Sequence, residues 1–256
     1  MYLLTYDHSV EGFFSAVFEA YERKLTNVII RKEGLPMGLF SEGLRRVSTN
    51  PRKAERVYVK LKALMGELGI QKIIYSLLTE EEYCERYIFD VIKYAIKYPK
   101  VNVMQDMSHP SVLQLGKYTK SVHREKHRME AFVRFKLTCD DIYFAEIEPD
   151  FNVLPIIAKH FKSRYQDQKW LIFDQTRSYG IFYDLYKLEI IQMKFNRQSN
   201  REEGLEMLSK DEPLYQSLWR TYYSQTNIRS RKNTRLHLLH VPKRYWKYLT
   251  EKIPEY

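Results

Sequence analysis

Residues 123–183 read HREKHRMEAFVRFKLTCDDIYFAEIEPDFNVLPIIAKHFKSRYQDQKWLIFDQTRSYGIFY. Ala131–Leu137 and Ile142–Glu148 alternate apolar and polar residues with the two-residue period of a strand, around a Cys139-Asp140-Asp141 turn. Asn152–Tyr165 shifts to helical spacing, with Val153, Leu154, Ile157 and Phe161 on one stripe and Asn152 placed to cap it. Trp170–Asp174 and Tyr179–Asp184 alternate again on either side of a turn where Gly180 can supply an unusual backbone angle. The pattern predicts an antiparallel β-β-α-β-β sheet unit with the helix on one face. Arg134, in the first strand, then projects from the opposite face, where with His123, Arg124, Arg128 and Arg177 it is expected to contact phosphate or a displaced nucleotide.

Outward from this unit the chain reads as mostly helical, which makes the fold class α+β. Met1–Tyr6 and Asn27–Arg31 are short strands flanking a helix over Val10–Arg23, with Asp7 or Ser9 as its cap. Gly34–Thr49 reads as a loop, and Asn50 caps a helix that has Pro51 at its first position and runs to about Met65. Helical spacing continues through Gln71–Leu78, Glu81–Tyr98 and Ser111–Glu130, with Lys100–Pro110 as connector. The acid-rich TEEEYCE (79–85) reads as a solvated helix start. After the sheet unit come a strand over Leu188–Phe195 and helices over Glu202–Leu208, Pro213–Ser224 and Thr234–Leu239. The expected division is 1–130 and 131–256, or one intimate domain.

Composition bounds the class. Of the 256 residues, 44% are apolar and 29% charged, which is globular, and only 9 Gly and 9 Pro argue against fibrous or disordered stretches. No apolar run approaches the roughly 20 residues of a membrane helix, and the opening MYLLTYDHSV has no basic and apolar leader pattern. Cys84 and Cys139 give no disulfide framework or metal spacing and read as reduced, buried thiols of a cytoplasmic protein.

The net charge of +10 is concentrated. Seven basic residues face only Glu55 in 43–62, seven face Glu125 and Glu130 in 117–136, and eight face no acid in 220–248. Basic blocks on an acidic remainder are the footprint of a polyanion binder.

His123 and His127 are four apart on one predicted helix, so both could reach one ion. The zinc-protease pattern needs a glutamate after the first histidine, and Arg124 stands there instead. With Arg128 beside them, the pair reads as anion contacts or as structural, and no metal is expected. His160 and Arg164 repeat the four-residue spacing on the next helix. Arg177 either clamps an anion as a planar fork or holds its turn through Asp174. In the C-terminal segment Trp219 and Trp246 read as core anchors, with Arg229, Arg231, Lys232, Lys243 and Arg244 facing solvent beside further tyrosines, an arrangement suited to phosphates and bases. No nucleotide-binding glycine loop, serine elbow or cofactor signature occurs. Glu11, His127 and Asp174 are the candidates for acid–base catalysis, with His160 as an alternative imidazole.

Several stretches together resemble one family. They are YDHSVEGFFSAVFEAYE (6–22), HREKHRMEAFVRF (123–135), PDFNVLPIIAKHFKSRYQDQKWLIFDQTRSYGIFYD (149–184), LWRTYYSQTNIRSRKN (218–233) and VPKRYWKYL (241–249). They are similar to a domain-of-unknown-function family described as DNA metabolism proteins, over nearly the whole chain. His8 departs from that pattern, which has glycine there. The resemblance implies a role in DNA repair or modification. Relatives stand alone or are fused to uracil-DNA-glycosylase-like domains, and stand-alone members are encoded beside a radical-SAM protein with a DNA-binding helix-hairpin-helix. No iron–sulfur cysteine triplet exists here, so the chain is not itself the radical enzyme. Three readings follow: a DNA-binding accessory to such an enzyme, a nucleic-acid hydrolase or glycosylase-like enzyme, and a scaffold docking a partner through the aromatic C-terminal region.

Overall fold

Ser9 fixes where the first helix starts. Its Oγ accepts the Gly12 amide at 2.8 Å, and Asp7 accepts from the Ser9 hydroxyl at 2.6 Å and from its amide at 3.2 Å. That helix, α1 (Val10–Glu22), joins strand β1 (Tyr2–Tyr6) to β2 (Val28–Lys32). The computed structural model describes residues 2–34, 43–192, 207–226 and 233–253. They form two compact units, Met1–His123 and Arg124–Tyr256.

In the first unit a third strand, β3 (Gly43–Arg46), pairs with β1, so the order is β2-β1-β3 and both pairings are parallel. The loop expected over Gly34–Thr49 therefore contains a strand. Gly-Leu-Arg-Arg has no alternation to announce it, and the β1 edge supplies its pairing. Asn50 caps α2 (Pro51–Leu77) by accepting from the Arg52 and Lys53 amides. The two helices expected here are one element broken at Gly66, whose φ of 73° only glycine adopts cheaply. Phe13, Leu61, Ile73, Ile88 and Ile92, the last two on α3 (Cys84–Lys97), form a continuous buried core with Leu4 and Ile30 of the sheet.

The acid-rich start of α3 is only partly solvated. Glu80, Glu81 and Glu82 are exposed, but Glu85 is buried and accepts the Tyr6 hydroxyl at 2.8 Å. Burial first, then the Glu85 charge, raises the Tyr6 phenol and the neighbouring Cys84 thiol above their ordinary pKa values. Cys84 is buried as expected, whereas Cys139 is exposed.

The units divide inside α4 (Pro110–Phe132). This helix runs two residues into what reads as the first strand, to Phe132, with Val122 and Met129 buried at helical spacing along it. Only Lys136–Leu137 (β4) pairs with β5 (Tyr143–Ile147), and Arg134 lies in the connection rather than in a strand.

The second unit's sheet has the order β4-β5-β6-β7-β8, with β6 at Trp170–Asp174, β7 at Tyr179–Tyr183 and β8 at Leu188–Gln192. It is not antiparallel throughout. β5 and β6 are parallel, because α5 (Leu154–Arg164) carries the chain back to begin β6 in the same direction. Trp170 is buried among Phe135, Phe161 and Tyr183.

Three local expectations change here. Val153, not Asn152, precedes α5 as its cap residue, and Asn152 instead accepts the Tyr179 hydroxyl at 2.5 Å. The left-handed residue of the β6–β7 turn is Ser178, with φ 55°, while Gly180 lies within β7. A Cβ at Gly180 would sit 2.9 Å from Leu171 Cδ1 and 3.0 Å from the Ile172 carbonyl, so close approach explains that glycine. Helices α6 (Glu212–Thr226) and α7 (Thr234–His240) match the last two expected helices, and a 3-10 stretch covers Lys243–Tyr248. Of the helix expected over Glu202–Leu208, residues 202–206 lie outside the described ones, and Leu208 makes an isolated bridge with Thr138. Trp219 is 38% exposed on α6 rather than a core anchor, and Trp246 is half-buried.

Candidate anion-binding site

Four of the arginines expected to meet a ligand close internal ion pairs in the second unit. Arg134 donates to Glu251 through Nη2 at 2.8 Å and Nε at 3.3 Å, and to the Ala131 carbonyl at 2.7 Å. Arg177 donates to Asp174 Oδ2 at 3.0 Å and to the carbonyls of Pro149 and Asp150 at 3.2 and 3.3 Å. Arg128 reaches the buried Glu125 at 3.4 Å. Arg244 donates to Asp150 and to the Tyr245 hydroxyl, which in turn donates to Glu125. Each arginine stabilises a carboxylate that the fold removes from water, which makes these pairs architectural.

The catalytic candidates separate as well. Asp174 is fully buried and accepts the Thr176 amide at 2.9 Å and the Arg177 amide at 3.2 Å, which ties its turn together. Burial raises its pKa, against the opposing pull of Arg177. Glu11 is exposed on α1 in the other unit.

A different set of side chains does converge. Lys126 and Glu130 on α4, with Ile156, Lys159, His160, Ser163 and Arg164 on α5, line an open cleft of about 440 Å3. Lys126 Nζ lies 3.1 Å from Glu130 Oε1, while Nδ1 of His160 and Nδ1 of His127 each lie 3.9 Å from a Glu130 oxygen. Lys159 has no acidic partner among the described residues, and Arg164 donates to the Tyr165 hydroxyl at 3.4 Å with its guanidinium 5.8 Å from that ring. The cleft thus gathers three permanent cations against one carboxylate, with a hydroxyl and an imidazole as further donors.

His123 and Arg124 are exposed on α4, the first ending one unit and the second opening the other; His127 is exposed one turn on. Lys243 is exposed in the 3-10 stretch. Arg229, Arg231 and Lys232 lie outside the described residues. Lys126, Glu130, Lys159 and Ser163 were not singled out from sequence. The signal was present, since Lys159 and Ser163 share the four-residue spacing of His160 and Arg164 on the adjacent ridge of α5.

Among the described residues no group of three or more His, Cys, Asp or Glu is arranged to hold a metal, and no helix is long and apolar enough to cross a membrane. A sequence profile described as "Domain of unknown function (DUF4130)" matches residues 82–251. The chain belongs to this family. The matched span holds α4, α5 and the whole five-stranded sheet, and with them every residue of the cleft. No curated protein matches the chain.

Proposed function

We propose that this chain is a cytoplasmic DNA-binding accessory of repair or base modification, gripping phosphate in the α4–α5 cleft while a radical-SAM or glycosylase-type partner acts. One observation carries the reading: Lys159 and Arg164 line a concave surface without a carboxylate partner among the described residues, whereas Arg128, Arg134, Arg177 and Arg244 are neutralised internally. Unneutralised cations converging on one cleft are what counterion release from a polyanion requires. Of the contacts expected from sequence, His160 and Arg164 carry the proposal, with Lys126 and Lys159 added. Binding to single-stranded and duplex DNA measured over a range of salt tests it. Affinity should fall steeply as salt rises, and no binding even at low salt would end this reading.

A second reading, acid–base catalysis on the bound nucleic acid, is favoured by the approach of His127 and His160 to Glu130. It requires one of these imidazoles to exchange a proton with the reacting group. Release of base or cleaved strand by the pure protein, abolished in His160→Gln, supports it, and an inert protein excludes it.

A further inference from the structure

The cleft is compact, and its shape says more than its charge. All of its polar groups come from just over one turn of each of two helices: residues 126 and 130 of α4, and 159, 160, 163 and 164 of α5. A site that tracks a strand of internal phosphodiesters spreads its cations along a line, one for each phosphate. Here they line one short cleft between two helices.

The charge balance has a counterpart. Lys126 is paired with Glu130, which leaves Lys159 and Arg164 as two uncompensated positive charges among the described residues. A phosphate monoester carries about −1.5 to −2 at neutral pH and three acceptor oxygens, whereas an internal diester carries a single charge. Arg164 offers a planar fork of donors, Ser163 a hydroxyl and His160 an imidazole, enough to engage several oxygens of one group. Tyr165, whose hydroxyl accepts from Arg164 Nε at 3.4 Å, holds the base of that fork. Ile156 supplies the one apolar wall.

Resting on the DNA-binding reading above, we infer that the α4–α5 cleft is a receptor for a terminal phosphate monoester at the end of a nucleic-acid strand. Such ends are products of strand cleavage, so the protein would sit at breaks rather than along intact strands.

The test uses the full chain and oligonucleotides of one sequence, ending in a 5′-phosphate, a 3′-phosphate or hydroxyls only, with the fluorophore at the other end. One phosphorylated end should bind about tenfold tighter than the hydroxyl end, equivalent to about 1.4 kcal/mol. Inorganic phosphate should compete that advantage away, and Lys159→Ala and Arg164→Ala should each lose it while melting like the parent protein. Equal affinity for all ends would overturn the inference and leave DNA binding intact. Failure of every oligonucleotide to bind would overturn both.

Discussion

Arg134 grips Glu251 across 117 residues of sequence, through Nη2 at 2.8 Å and Nε at 3.3 Å. Trp219 Nε1 donates to the same carboxylate at 2.8 Å, and the Arg134 guanidinium lies 5.3 Å from the Trp219 ring. This cluster ties the connection after α4 to α6 and the C-terminal segment. Burial alone would raise the Glu251 pKa, but the bonds from Arg134 and Trp219 outweigh it and hold the carboxyl below the ordinary glutamate range.

The sign of the pH dependence follows from that depression. Stability from Glu251 is present in full above the unfolded-state pKa and is lost as pH falls through the lower folded-state value. Glu251→Gln should therefore destabilise the protein at neutral pH by about 2 kcal/mol. It should also flatten the acid limb of stability against pH. Urea denaturation at neutral and acid pH reads both effects, and a parallel acid limb in the variant would contradict this assignment.

His8 has a φ of 69°, in the left-handed region that favours glycine. The histidine occupies a left-handed position and bonds through Nε2 to the Glu33 carbonyl at 2.9 Å. His8→Ala keeps the backbone strain and removes the bond, whereas His8→Gly removes both. The glycine variant should be the more stable of the two by about 1 kcal/mol. Thermal melts of the pair decide it, and an alanine variant equal to glycine would show that the turn carries no strain.

Gly180→Ala should destabilise the second unit by about 1–3 kcal/mol, because the added methyl meets a backbone carbonyl that the sheet holds in place. Chemical denaturation followed by tryptophan fluorescence checks it, since all three tryptophans lie in the second unit. A variant as stable as the parent would mean that β6 and β7 can separate at that point.

Helices were legible where caps and apolar spacing agreed, as at Ser9 with α1 and at Asn50-Pro51 with α2. Strand direction was not. The alternation in Tyr143–Ile147 and Trp170–Asp174 is the same for parallel and antiparallel partners, so only the crossover through α5 decides it. The start of the first strand was not legible, because Ala131–Leu137 fits both periods and the buried stripe through Val122 and Met129 carries α4 on to Phe132.

Charge was the least legible property. Arg134 and Arg244 lie far in sequence from Glu251, Asp150 and Glu125, the acids that neutralise them, so composition showed the cations without their partners. The cleft was half legible, since His160 and Arg164 announce one ridge of α5 while Lys126 and Glu130 reach it from another helix.

The most direct measurement of the central claim is the salt dependence of DNA affinity for the parent chain, Lys159→Ala and Arg134→Ala. Loss of one phosphate contact should reduce the slope of log affinity against log salt by about 1. The account predicts that reduction in Lys159→Ala and an unchanged slope in Arg134→Ala, whose charge is already held by Glu251. Equal slopes for Lys159→Ala and the parent, with a lowered slope for Arg134→Ala, would contradict it.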